Sequence, residues 1–305
     1  MTLRDDLQAI ADVRQNEPMS RHTTFGIGGP ADLYVVAQTR EELTRASLAA
    51  REAGTPLFVL GSGSNILVGD GGIRGIVLEN QTAAIGEPVS SKDDTHLTVE
   101  SGVPFASLAR HVGRRGLQGL EWAAGIPGTM GGAVVYNAGA YGGCLADALH
   151  SVTLLHPDGR EEAVPAADLG LAYRSSVFTR GLLRDRVVLD LTFTLAGGEA
   201  ADSLSRIDEL ETRRKASSPR GRNAGSTFKN PDEHPVWWLI DQVGMRGHRI
   251  GDAQISDKHS NYFLNVGAAT AADVLGLIEL TRKRVQEEFA IELETEVSFE
   301  GEGLT

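Results

Sequence analysis

The chain has 305 residues, 41% of them hydrophobic, which is enough for two or three domains rather than one small core. A net charge of -12 excludes a nucleic-acid or anionic-membrane surface, because phosphate neutralisation needs clustered lysine and arginine. The lone Cys144 excludes an intramolecular disulfide and a thiolate metal cluster, and suits a reducing compartment.

The eight histidines are scattered without paired ligand spacing, so no metal is expected. The opening MTLRDDLQAI has acids where a signal peptide has its apolar core, and no run approaches membrane-span length. The expectation is a soluble cytoplasmic protein with no nucleic-acid, membrane or obligate protein partner. A few local cations would still suffice for a small anionic substrate.

In chain order, ADLYVVAQ (31–38) reads as a strand. Thr39 and Glu42 form a capping box for a helix ending at Gly54. PLFVLG (56–61) is a buried strand, and IRGIVLEN (73–80) and THLTVESG (95–102) are further strands. Pro104 suits a helix first turn, and Gly116 stops that helix. Residues 151–164 form a hairpin turning at Asp158-Gly159, followed by the strand DRVVLDLTFTL. After Gly197 and Gly198 come a helix over about 200–215, a polar loop, and a short helix VWWLIDQV closed by Gly244. NYFLNV is a strand. Thr270 caps a long helix over 271–289, with Leu275, Ile278 and Val285 at helical spacing. IELETEVSF (291–299) alternates strictly and reads as a strand. The fold class is α+β, with a boundary near 197.

Two glycine runs stand out. Gly61, Ser62, Gly63, Ser64 and Asn65 follow a strand and offer a nest of backbone N–H groups, which binds phosphate without a cation. Ile66 breaks the dinucleotide fingerprint, and there is no P-loop Gly-Lys-Ser/Thr. Alone, this run reads equally as an ordinary tight turn. The second run, GIPGTMGGAVVYNAGAYGG (125–143), contains neither lysine nor arginine. Together the two runs suit a long pyrophosphate-bridged cofactor, held by dipoles rather than ion pairs.

Seven stretches occur in an order that resembles one family. They are HTTFGIGGPADLYV (22–35), VLGSGSNILVGDGG (59–72), GLQGLEWAAGIPGTMGGAVVYNAGAYGG (116–143), YRSSVF (173–178), NAGSTFKNP (223–231), GDAQISDKHSNYFLN (251–265) and LETEV (293–297). The set is similar to the UDP-N-acetylenolpyruvoylglucosamine reductases, flavoenzymes of peptidoglycan synthesis. The resemblance implies an FAD-binding domain of the vanillyl-alcohol-oxidase type over 1–197, with subdomains of roughly 1–80 and 81–197. It implies a substrate-binding domain over 198–305, and leaves open whether the last strand returns to the FAD domain. The compact spacing between 174 and 226 resembles the shorter subtype, which lacks an inserted tyrosine loop.

The resemblance further implies bound FAD, NADPH as co-substrate, and UDP-N-acetylglucosamine enolpyruvate as substrate. FAD would be held by His22, Thr23, Thr24, Gly61, Ser62, Gly63, Ser64 and Asn65. It would also be held by Gly125, Ile126, Pro127, Gly128, Gly131, Gly132, Ala133, Asn137, Gly139 and Tyr141. Arg174 and Glu296 would stabilise an enolate, and Ser226 would protonate it. By pattern alone, Arg174 also reads as a structural arginine, Ser226 as a loop cap, and Glu292, Glu294 and Glu296 as one solvated face. Tyr173, Lys229, Asn230, Lys258 and His259 are candidates for substrate contact and equally for ordinary surface or packing residues. No metal enters this chemistry. The pair Trp237-Trp238 stands where the family more often has smaller or more polar residues.

Overall fold

The computed structural model describes residues 2–90, 94–183 and 185–304. It is an α+β protein, and its contacts divide it into two compact units, both discontinuous in sequence. One comprises Met1–Val13, Val35–Gly61 and Val77–Arg214; the other comprises Arg14–Tyr34, Ser62–Ile76 and Lys215–Thr305.

In the first unit, strand Val187–Gly197 is the centre of a six-stranded sheet. It pairs antiparallel with Leu149–Leu155 on one side and Thr95–Glu100 on the other. Its apolar residues explain the central position. Leu191 faces Val152 and Val99 in register, and Phe193 faces Leu149 and Leu97, all buried. The hairpin forms as its sequence predicts, between Leu149–Leu155 and Glu161–Pro165. Gly159 takes φ +86° at the turn, and the Asp158 carboxylate accepts from Arg160 N at 3.0 Å. Helix Phe105–Arg114 lays Phe105, Leu108, Ala109 and Val112 against this core. Helix Arg40–Glu52 starts at Thr39, whose hydroxyl accepts from Glu42 N. The predicted box is only half made there, since Glu42 accepts from Gln38 N instead of Thr39 N.

In the second unit, helix Ala271–Phe289 has a complete capping box between Thr270 and Asp273. The Asp70 carboxylate adds to it, accepting from Ala271 N at 2.9 Å and Ala272 N at 3.3 Å. The helix buries Val274, Leu277, Ile278, Thr281 and Val285, so its inner face is centred beside the predicted Leu275. It packs with Phe228, Val236, Leu239, Phe263, Leu293 and Val297 in one core. Short antiparallel strands Arg249–Ile250, Ala253–Ile255 and Phe263–Asn265 form a small sheet. The last strand, Ser298–Glu300, pairs in parallel with Ile66–Val68.

The predicted strand over 291–299 is therefore shorter than expected. Its side chains do alternate, with Leu293 and Val297 buried and Glu292 and Glu294 exposed. Its backbone instead makes isolated bonds. Lys229 N donates to Glu294 O, Glu296 N to Thr227 O, and the Arg282 guanidinium to Leu293 O. Alternation reports which side is buried, not whether a ladder partner runs alongside.

Candidate functional site

In the first unit, the 125–143 run folds as a turn, a short helix Met130–Val135, and a tight hairpin pairing Gly139–Ala140 with Gly143–Cys144. Gly128 has φ +139° and Gly125 +68°, conformations that glycine adopts without strain. A Cβ on Gly61 would lie 2.4 Å from Thr129 Oγ1, so the first glycine of one run must be bare to lie against the other. At Gly132 a Cβ would meet Thr129 Oγ1 at 3.8 Å, an ordinary van der Waals contact, so this glycine is not forced by protein packing on that side. Asn137 is buried and spends its amide on the protein, donating to Ala172 O and accepting from Ala146 N. It fastens the hairpin rather than offering its side chain to a ligand.

Arg174 sits at φ +50°, a conformation sparsely populated by residues other than glycine and over-represented at functional positions. Its guanidinium donates to Gly139 O at 2.8 Å and lies 5.4 Å from the centre of the exposed Tyr173 ring. Arg213 lies 5.4 Å from the centre of the Tyr141 ring at the hairpin tip. The only cysteine, Cys144, donates to Asp147, and burial pushes its thiol pKa up, so it is no thiolate nucleophile.

In the second unit, Ser62–Asn65 lies against His22–Thr24. Thr24 N and Oγ1 both donate to Gly63 O, at 3.0 and 3.3 Å. Gly63 has φ +59°, and a Cβ there would lie 2.0 Å from His22 O. Among the described residues, no protein group accepts from the backbone N–H of Ser62, Gly63 or Ser64. Those donors fit the pyrophosphate of a flavin dinucleotide. Thr23 closes its own turn, exchanging hydrogen bonds with Ile27 O and Ile27 N.

The same unit brings four motifs together. Asn65 Nδ2 donates to Glu296 O at 3.2 Å, and Glu296 N donates to Thr227 O at 2.9 Å. Ser226 pairs with Tyr262 in an isolated bridge, and Thr227 N donates to Asn261 O. Buried Asn261 then holds Phe228 from both sides, accepting from its N–H and donating to its C=O, each at 2.9 Å. The backbone around Ser226 is thus fixed, while among the described residues no hydrogen bond engages its hydroxyl. It is not the backbone cap that its loop position also suggested. Glu296 is half-buried, unlike the exposed Glu292 and Glu294.

The other polar candidates have protein partners. Lys229 forms an ion pair with Glu294, so Glu294 is more than a solvated acid. Asn230 accepts from Val236 N and caps the helix Val236–Gln242. Lys258 donates to the carbonyls of Ser218 and Lys215. Trp238 packs beside His234 and Phe289, whereas Trp237 remains exposed. An open hollow of about 390 Å³, lined in part by Gly26, Gly28, Asp70 and Arg222, touches none of the predicted site residues.

Burial holds the His259 imidazole below the ordinary histidine pKa, and its Nδ1 accepts from Asn261 N. The unfolded chain therefore binds a proton more readily than the folded one. The stability that depends on neutral His259 is full above the unfolded value of about 6.5 and falls as the pH drops below it. His259→Gln is expected to flatten part of that acid-side loss in urea melts taken from neutral to acid pH. An unchanged slope would contradict this role for burial.

Comparison with known proteins bears on both units. Residues 31–164 match the family model described as an FAD binding domain. Residues 216–300 match the model described as the C-terminal domain of UDP-N-acetylenolpyruvoylglucosamine reductase. A UDP-N-acetylenolpyruvoylglucosamine reductase of Lachnoclostridium phytofermentans is 41% identical over 289 residues, covering 94% of this chain and 92% of that protein. One of Moorella thermoacetica is 42% identical, covering 96% of this chain and 94% of that protein. The crystal structure of the Thermus caldophilus UDP-N-acetylenolpyruvylglucosamine reductase superposes with a TM-score of 0.78 at 35% identity, over 95% of this chain and 99% of that one.

Proposed function

The chain belongs to the UDP-N-acetylenolpyruvoylglucosamine reductase family, and from that premise we propose how its residues divide the work. It is an FAD-dependent oxidoreductase, a UDP-N-acetylmuramate dehydrogenase of peptidoglycan synthesis. The substrate is UDP-N-acetylglucosamine enolpyruvate, and NADPH is the electron donor. When bound, FAD would supply hydride chemistry toward the vinyl group of the substrate.

Hydride addition leaves negative charge on the neighbouring carbon, delocalised into the substrate carboxylate. Arg174 binds that carboxylate as a planar, permanently charged fork. Its hydrogen bond to Gly139 O restrains the guanidinium before substrate arrives, and fixed charge is the effective kind. Glu296, in its protonated form, donates a hydrogen bond to the same developing charge. Ser226 gives its hydroxyl proton to the carbon and regains one from solvent. The backbone N–H groups of Ser62–Ser64, which no described protein group accepts from, would hold the flavin pyrophosphate, and such dipoles need no cation.

The observation that carries this reading is at Ser226. A proton donor must be fixed in position yet free to give up its proton. Here the backbone is fixed through Tyr262, Asn261 and Thr227, and the hydroxyl has no described protein partner. The test is direct. With FAD, NADPH and UDP-N-acetylglucosamine enolpyruvate, the purified protein is expected to form UDP-N-acetylmuramate, one per NADPH oxidised. NADPH oxidation without that product would overturn the reading.

A further inference from the structure

His22 lies in the motif assigned to the cofactor, yet its ring has no polar atom left to offer. Nε2 lies 3.0 Å from Glu17 Oε1, and Nδ1 lies 2.8 Å from Tyr34 Oη. The ring also stacks on Tyr34, with centroids 4.1 Å apart. Tyr34 is fully buried, and the side chains of Glu17 and His22 are only 12% and 14% exposed. The hydrogen bond from His22 holds the Glu17 carboxyl below the usual carboxylate range, so it accepts and does not donate. At this contact the ring proton therefore lies on Nε2, while Nδ1 shares a hydrogen bond with the Tyr34 hydroxyl.

A ring gripped on two nitrogens and one face immobilises its own backbone. That backbone meets the phosphate-type loop. The His22 carbonyl occupies the place of a Gly63 side chain, and Thr24, two residues on, holds Gly63 O with two donors. In a trans peptide the C=O of Gly63 and the N–H of Ser64 point in opposite directions. Holding Gly63 O toward Thr24 therefore turns the Ser64 N–H away from residues 22–24. No described protein group accepts from it there.

We propose that Glu17 and Tyr34, acting through His22, are positioning residues for FAD: they set the conformation of the Ser62–Asn65 loop without touching the cofactor. Neither residue lies in a glycine run. This rests on the reading of Ser62–Asn65 as a flavin loop, and the experiment separates the two ideas.

FAD dissociation constants are measured by flavin fluorescence on apoprotein of the parent, Tyr34→Phe, Glu17→Gln and the double variant, with the melting temperature of each apoprotein. Each single change is expected to weaken FAD about fivefold, the scale of one hydrogen bond. The double variant is expected to weaken it by less than the product, because both act on one ring. A merely structural role would lower the melting temperature and leave FAD affinity in place. Single variants within twofold of the parent, or a fully multiplicative double variant, would overturn the proposal.

Gly63→Ala, and the milder Thr24→Val should that protein not fold, test the loop itself. If the loop variant loosens FAD while Tyr34→Phe and Glu17→Gln do not, only the positioning role is lost. If the loop variant also leaves FAD binding unchanged, the assignment of Ser62–Asn65 to the flavin falls with it.

Discussion

Ser226→Ala is expected to separate the two halves of the reaction. Bleaching of the flavin by NADPH should proceed near the parent rate, because that step needs no proton from Ser226. Reoxidation by the enolpyruvyl sugar should slow by about 10²–10⁴-fold, the range for loss of a positioned proton donor. Alanine removes only the hydroxyl, and that hydroxyl makes no described hydrogen bond in the protein. The fold should therefore tolerate the change, since Asn261, Thr227 and Tyr262 fix the loop through other atoms. The experiment is anaerobic stopped-flow absorbance of each half-reaction. Equal losses in both would remove Ser226 from the proton-donor role.

Glu296→Gln and Glu294→Gln form the second contrast. The two acids are two residues apart and share one side of the chain, so pattern alone treats them alike. Their surroundings differ. Glu296 is half-buried, and its backbone is bonded to Asn65 of the first glycine run and to Thr227 beside the serine. Glu294 is exposed and pairs with Lys229. Replacing a group that stabilises developing charge costs about 10²–10³-fold in kcat. Weakening an exposed ion pair costs little, of order 1 kcal/mol at most. Steady-state kcat should therefore fall at least tenfold further for Glu296→Gln than for Glu294→Gln. Equal losses would return Glu296 to a solvated acidic face.

Most elements were legible because their signals are local. Thr39, Thr270, Gly54 and Gly244 mark helix ends through caps and left-handed turns, and Asp158-Gly159 marks a hairpin. The stretch 291–299 misled because alternation of side chains carries no information about a pairing strand. Site residues were legible as types but not as partners. Lys229, Asn230 and Lys258 look like ligands for an anionic substrate, yet each meets a protein group. Glu17, Tyr34 and Asn261 went unread for the converse reason. Each acts across 5 to 33 residues of sequence on a group that only folding brings near.

In the proposed reaction a flavin bound by glycine loops without a cation is reduced by NADPH and reoxidised by the enolpyruvyl sugar. The most direct measurement is the visible spectrum of the FAD-loaded protein under anaerobic conditions, first with NADPH and then with UDP-N-acetylglucosamine enolpyruvate. The expected result is a flavin band that NADPH bleaches and the sugar restores. A band that NADPH leaves in place, or no band after FAD is added, would contradict it.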